Sequence, residues 1–407
     1  MNKHTEIKKC RSCGSQKLVD ILSLGEQYLS DFLKNDEKPK RFPLDLVLCE
    51  KCDLLQLKNT VPQKFLYTKR YGYRSGINFT MRNELKRIVN SSIEKIKSKQ
   101  DIKALDIGAN DGTLLSFYKE NVFRIAVEPI RKFSEECLKH AEIVINDFFN
   151  YESYKAVLKD TKVDVVSAIS CFYDMDDPNK FVTDVKKILN KNGIFVISQN
   201  YLVGMLENNA FDNVVHEHLE YYSLLSLENL MERHDLEIFD IEKTSINGGS
   251  FITYISHKNA RPIEKSVLEC RKYEKKLKLN KLKTYTDFAE RIKKNSRNLF
   301  SLVNKLAKDG KNVYVYGAST RGNTLLQYYN LNNKLIKAAV ERNPEKWGKR
   351  ISSLNIPIIS EAEGRKQRPD YMLVLPWFFK EEFLQREKGY LDSGGHFIFP
   401  LPEIQVI

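Results

Sequence analysis

No stretch of this 407-residue chain approaches 18 consecutive apolar residues, which excludes a transmembrane helix. The basic N-terminus, MNKHTEIKKC, has no apolar run behind it, so it does not read as a secretory signal, and the default compartment is the cytoplasm. Seven cysteines are too few for a disulfide scaffold at this length, and in a reducing compartment clustered cysteines point to metal or catalysis. Neither the G-x-G-x-x-G dinucleotide fingerprint nor a P-loop lysine is found at the glycine-rich turns. What is present suits two to four ordinary globular domains: 42% hydrophobic and 11% aromatic residues, too many for a disordered chain.

Acidic residues are also in deficit, and the net charge is +13. Residues 261–308 hold fifteen Lys and Arg against five Asp and Glu, so most of the excess lies in one segment. Tyr285, Phe288, Ile292, Leu299, Val303 and Leu306 recur there at helical spacing. The segment reads as one long amphipathic helix with a solvated basic face; a surface that attracts an anionic sugar nucleotide is the sharper reading. No aromatic–basic interleaving or nucleic-acid-binding motif accompanies the charge, so neither nucleic acid nor membrane is an expected partner.

Four regions follow. Residues 1–60 carry two cysteine pairs among short β-like runs. Residues 61–260 form an α/β unit led by a polar helical stretch to about residue 100. Residues 261–308 are the basic linking helix, and 309–407 repeat the strand–helix alternation (NVYVYGA, TLLQYYN, KAAVERN, PIIS, YMLVLPW, HFIFPLP). The fold class is therefore α/β, with a small N-terminal domain and two Rossmann-like units. Each unit has a Gly-Ala turn after a strand, GAND and GAST, which is either a distant repeat or two uses of one turn.

Cys10-x-x-Cys13 and Cys49-x-x-Cys52 can each present two thiolates from a tight turn, together the closed S₄ shell of structural zinc. Four reduced buried cysteines are the plainer alternative, and a thioredoxin-like role is weaker because neither pair opens a βαβ unit. Cys137, Cys171 and Cys270 lack partners at ligand spacing and read as core thiols.

Residues Ala104–Gly112, ALDIGANDG, run from a strand into a tight turn, followed by an expected helix, TLLSFYKE. Gly108 and Gly112 allow backbone to approach a ligand, and Asp106 and Asp111 suit one that brings a cation. About 20 residues on, Glu128 ends the second strand, where an acid can take both ribose hydroxyls. Asp147 and Phe148 end a third strand, offering an acid for an adenine amino group and an aromatic face.

These motifs, LDIGANDG, VEP and NDFF, resemble those of class I S-adenosylmethionine methyltransferases. The whole chain resembles a narrower family, the zinc-binding C-methyltransferases of nucleotide-linked deoxysugars. That resemblance rests on Cys10, Cys13, Cys49 and Cys52, on Tyr71-Gly-Tyr-Arg-Ser75, on His216-Glu-His-Leu-Glu-Tyr-Tyr-Ser223, on Asn247-Gly-Gly-Ser250 and on Gly317-Ala-Ser-Thr-Arg-Gly-Asn323. It implies a zinc domain, a methyltransferase domain and a C-terminal Rossmann-like domain. S-adenosylmethionine would be bound by Tyr73, Ser75, Asp106, Gly108, Asn110, Asp111, Glu128, Asp147 and Phe148. The acceptor would be a nucleotide-linked keto-deoxysugar of a surface-polysaccharide or natural-product pathway, and the chain a monomer.

Two His and a Glu within three residues stand out in a chain with seven His. Metal binding, a structural polar segment and acid/base work are the three readings. A carbon next to a ketone must lose a proton before it can attack a methyl group, and His titrates in the right range. The resemblance gives the base to His218, with Glu217 beside it; His216 and Asp174 are the reserve candidates, and Tyr222 or Tyr73 would hydrogen-bond the enolate oxygen. Two departures from the family pattern concern the acceptor side. Val215 stands where Tyr is common, and Asp174 falls about where many members carry His. O- or N-methylation, or ligand binding without chemistry, are the rival readings.

Overall fold

Alternating strand-like and helix-like segments become two parallel-centred sheets, and the first 60 residues stitch them together. The structure is a computed structural model that describes residues 4–34, 39–68, 72–96 and 100–407; Tyr71 of the Tyr-Gly-Tyr-Arg-Ser motif lies outside them. In the first α/β unit, seven strands lie side by side. Their order is Ile143–Ile145, Phe123–Val127, Lys103–Ile107, Val163–Ile169, Leu189–Asn200, Ser250–His257 and Leu236–Thr244. Ser250–His257 runs antiparallel to both neighbours, and the other strands run in one direction. The first strand in sequence, Lys103–Ile107, is flanked by the second on one side and the fourth on the other, so the order reverses there. A crevice opens at such a reversal, outside the strands' carboxyl ends. The helix Phe79–Lys95, capped by the Asn78 side chain, buries Leu85, Ile88 and Val89 in the layer that covers one sheet face.

The C-terminal unit is built similarly, with parallel strands His396–Phe399, Tyr371–Val374, Val313–Tyr316, Ala339–Glu341 and Ile356–Ser360 at the centre of an eight-stranded sheet. Its last strand is Phe32–Leu33, paired with Arg350–Ile351. The N-terminal sheet is likewise completed from outside: Glu220–Tyr221, within the His-Glu-His segment, pairs with Leu55–Gln56. Residues 1–60 therefore do not close on themselves: one edge of their sheet is completed by Glu220–Tyr221, and Phe32–Leu33 joins the C-terminal sheet.

Two expected helices differ. The basic segment 261–308 is two helices, Lys265–Leu277 and Leu282–Lys308, broken where Lys278 takes left-handed backbone angles (φ 55°, ψ 46°). The apolar stripe from Tyr285 to Leu306 is buried as expected. After the glycine loop, TLLSFYKE forms only the 3₁₀ turn Leu115–Phe117. Local side-chain bonds compete with the helix here: Asp111 Oδ1 accepts from the Thr113 hydroxyl at 2.6 Å, and the Ser116 hydroxyl donates to the Thr113 carbonyl at 2.6 Å. No helix among the described residues is long and apolar enough to cross a membrane.

Candidate functional site

The glycine loop reverses the chain at Gly108 (φ +69°), Asn110 (φ 52°) and Gly112 (φ +76°). A Cβ on Gly108 would sit 3.2 Å from Cys171 Sγ, and one on Gly112 would sit 3.3 Å from the Cys137 Cα, so both positions favour glycine by their angle and are tight for a side chain. Glu128 closes the loop from below. Its Oε2 accepts the Asn110 N–H and its Oε1 the Ile130 N–H, both at 2.8 Å. Each oxygen keeps further lone pairs for a ligand's hydroxyls. Burial raises the Glu128 carboxyl, while the two backbone bonds favour its charged form.

Above this loop lies a cavity of about 390 Å³, within the range of small-molecule sites. Tyr73, Ser75, Asp106, Gly108, Asn110, Glu128 and Phe148 of the expected cofactor set line it, as does Asp174. Asp106 is pushed up to about 7 chiefly by burial, with the Ser167 hydroxyl bonded to it at 2.6 Å holding it down and Glu128 raising it further. Asn110 ties the Tyr73–Gly76 segment to the loop: its Oδ1 accepts the Ser75 N–H at 3.0 Å and its Nδ2 donates to the Tyr73 carbonyl at 3.1 Å.

Two expected contacts are arranged differently. Asp111 points its carboxylate at protein: the Gly76 N–H at 2.9 Å and Thr113. Asp147 is exposed and does not line the cavity, and its Oδ1 accepts the Phe148 N–H at 2.8 Å. The third-strand end thus contributes Phe148, Phe149 and Asn150 to the wall. Cys171, expected in the core, lines the cavity instead. Tyr67 is a further wall residue with no sequence signal; its hydroxyl donates to Asp174 Oδ2 at 2.9 Å. The other carboxylate oxygen of Asp174 is buried without a hydrogen-bond partner, and burial drives this carboxyl well above its usual range.

The His-Glu-His segment divides its residues. His216 is buried, with Nε2 3.0 Å from the Phe42 carbonyl, and burial lowers its pKa to about 4. It anchors the segment to the N-terminal sheet and does not line the cavity above the glycine loop. His218 Nδ1 lies 2.9 Å from the Asn213 carbonyl. A carbonyl only accepts, so the proton is on Nδ1 and the lone pair is on Nε2. Burial lowers this ring to about 3. The ring is oriented by that carbonyl and by Tyr173, whose ring centroid is 4.3 Å away, not by the Glu217 carboxylate. Burial raises Glu217. Tyr222 is fully buried with its hydroxyl unpartnered, beside Phe172, and lines neither the large cavity nor the recess that holds His218. That small recess is also lined by Tyr173, Asn200, Glu220 and Tyr221. The turn Phe172–Asp174 separates the two spaces, with Tyr173 facing the recess and Asp174 the cavity.

The four cysteine sulfurs all lie within 4.8 Å of one another, with Cys10–Cys52 at 3.6 Å and Cys13–Cys49 at 3.5 Å. Four sulfurs at about 2.3 Å from one zinc ion sit about 3.8 Å apart, so the set fits a closed tetrahedral site. Each knuckle is closed by a backbone bond, Gly14 N–H to the Cys10 carbonyl and Asp53 N–H to the Cys49 carbonyl, both at 2.9 Å. Gln56 Nε2 donates to Cys10 Sγ at 3.2 Å, a supporting bond to a metal ligand.

The C-terminal unit repeats the glutamate cradle. Glu341 Oε2 accepts the Ala318 N–H at 2.8 Å and Oε1 the Asn343 N–H at 2.9 Å. Arg321, in the Gly317–Asn323 motif, is paired with the buried Asp212.

Three family models match the chain in order: a zinc binding domain over residues 10–67, a methyltransferase domain over 79–241, and a C-methyltransferase C-terminal domain over 245–402. The C-methyltransferase NovU of Streptomyces niveus is 29% identical over 98% of this chain and 97% of its own length. The tRNA U34 carboxymethyltransferase of Campylobacter jejuni subsp. doylei is 24% identical over 34% of this chain and 50% of its own. The magnesium protoporphyrin IX methyltransferase of Synechocystis overlaps 46% of this chain and 91% of its own, with 11% identity and a TM-score of 0.36.

Proposed function

We propose that this chain, which carries in order a zinc binding domain, a methyltransferase domain and a C-methyltransferase C-terminal domain, uses S-adenosylmethionine to methylate a carbon alpha to the ketone of a nucleotide-linked keto-deoxysugar. S-adenosylmethionine supplies an electrophilic methyl group. Glu128 holds the ribose hydroxyls, Gly108 and Asn110 admit the cofactor to the backbone, and Phe148 and its neighbours flank the adenine. His218 removes the alpha proton. The observation that supports this most is the fixed tautomer of His218: with Nδ1–H given to the Asn213 carbonyl, the lone pair is on Nε2, the atom that would take the proton. Asp174, with one carboxylate oxygen free, faces the acceptor from the cavity side of the Phe172–Asp174 turn. Tyr173, whose ring centroid lies 4.3 Å from that of His218, replaces Tyr222 as the tyrosine assigned to the enolate oxygen. A zinc ion held by Cys10, Cys13, Cys49 and Cys52 would be structural and would support the sheet that carries Glu220–Tyr221.

The test is turnover with a nucleotide-linked 4-keto-6-deoxysugar in deuterated water. S-adenosylhomocysteine should form, deuterium should wash into the alpha carbon, and NMR should find the new methyl on carbon. His218→Asn should lower kcat by about 10²–10⁴, the usual scale of general-base loss, and stop the exchange. A product methylated on oxygen, with no alpha exchange, would overturn the reading.

A further inference from the structure

Two sequence motifs without a role so far, Asn247-Gly-Gly-Ser250 and Gly317-Ala-Ser-Thr-Arg-Gly322, meet at Arg321, which pairs with one buried carboxylate. Asp212 lies in the 3₁₀ turn Phe211–Asn213 and is fully buried. Its Oδ2 accepts Arg321 Nε–H at 2.9 Å and Trp377 Nε1–H at 3.2 Å. Arg321 Nη1 donates to the Asn247 carbonyl at 2.9 Å, and the guanidinium lies over the Phe378 ring at 4.7 Å. Gly248 leaves room for Trp377; a Cβ there would come within 2.8 Å of the indole. The C-terminal unit therefore supplies both donors to a turn of the methyltransferase unit. The residue after Asp212 is Asn213, whose carbonyl sets the His218 tautomer.

We propose that Arg321 and Asp212 are positioning residues for His218: the ion pair fixes the Phe211–Asn213 turn, which aims the Asn213 carbonyl at Nδ1. The inference rests on His218 being the base. A fully buried carboxylate is strongly held by its cation, since an unpaired charge there costs several kcal/mol. The turn is short and doubly closed, with the Asn213 N–H bonded to the Ala210 carbonyl and the Val214 N–H to the Phe211 carbonyl, so fixing Asp212 leaves the next peptide little freedom. The arginine charge also disfavours a proton on His218. The C-terminal unit thus shapes the base without touching it.

The decisive variant is the double substitution Asp212→Asn/Arg321→Gln, which removes both charges, leaves none unpaired and keeps hydrogen-bonding groups. Thermal unfolding and S-adenosylmethionine calorimetry establish that it folds and binds cofactor within about twofold of wild type. Long-range ¹⁵N–¹H NMR of ¹⁵N-histidine protein then reads the His218 tautomer, with His218→Asn assigning the signal. The wild type should show the single Nδ1–H form. The double variant should lose that uniformity and drop kcat about 10–100-fold, the scale of a misplaced catalytic group, while Arg321→Lys should recover part of both. An unchanged tautomer in the folded double variant overturns the proposal. So does a fall in kcat matched by lost cofactor binding or lost folded protein, which would make the pair a structural clamp only. If His218→Asn itself keeps full turnover, the base assignment fails, and the tautomer readout still decides whether the pair positions the ring.

Discussion

Glu128 Oε2 accepts the backbone N–H of Asn110 at 2.8 Å, and this bond joins the end of the second strand to the tip of the glycine loop. The acid proposed to take a ligand's hydroxyls is thus also the acid that shapes the loop. The same pattern, Glu341 to Ala318, recurs in the C-terminal unit at 2.8 Å.

Glu128→Gln should therefore separate two effects. It keeps the shape but exchanges a charged acceptor, worth about 1.5–3 kcal/mol per bond, for a neutral amide. S-adenosylmethionine affinity measured by calorimetry should fall at least about tenfold. Asp147→Asn should move it far less, because Asp147 is exposed outside the cavity lining. Equal losses in the two variants would place the adenine against Asp147 after all.

Protein purified without added metal should contain about one zinc ion per chain, as a single four-thiolate site implies. Cys10→Ser removes one ligand and the sulfur that Gln56 supports. Metal binding energy is folding energy in such sites, so this variant should lose zinc and solubility before any change in chemistry is measurable. A zinc-free chain with an unaltered unfolding transition would contradict the assignment.

Acid should weaken the fold through His216. Burial holds its pKa at about 4, against 6.5 when unfolded. Between these values the unfolded chain takes up a proton that the folded chain refuses, so stability present above pH 6.5 is lost as pH falls. The loss is at most about 1.4 kcal/mol per pH unit. His218 acts in the same direction; Asp106, raised to about 7 in the fold, opposes both. The comparison with His216→Gln isolates one ring. Urea unfolding at pH 7 and pH 5 should show a smaller loss in the variant, and identical losses would mean that the buried ring charges freely.

Gly248→Ala should destabilise more than Gly310→Ala. Both glycines have positive φ, +84° and +74°, but only Gly248 has a neighbour in the way, the Trp377 ring at 2.8 Å. Left-handed backbone alone accounts for about 1–2 kcal/mol, and displacing the indole adds about 1–3 kcal/mol of overpacking. Denaturant midpoints of the two variants measure the difference.

Local chemistry was legible in the sequence. Two C-x-x-C pairs define a ligand set without reference to the fold, the strand–turn pattern ALDIGANDG marks a ligand loop, and Glu128 follows at the distance one βα crossover imposes. Each signal lies within a few residues or one repeat unit, where covalent geometry and backbone angles decide the outcome. The partners lay beyond that reach. Nothing in the pattern pairs Asn213 with His218, because the bond uses a backbone carbonyl that every residue has. Nothing pairs Arg321 with Asp212 across 109 residues, or puts Glu220 on the edge of a sheet that begins at Leu18. Asp111 and Asp147 carried the right charge in the right motif, yet their oxygens went to the nearest backbone N–H groups. Residue types near a turn fix what chemistry is available. Which atoms face the cavity depends on the competition among all buried donors and acceptors, and only the packed structure resolves that competition.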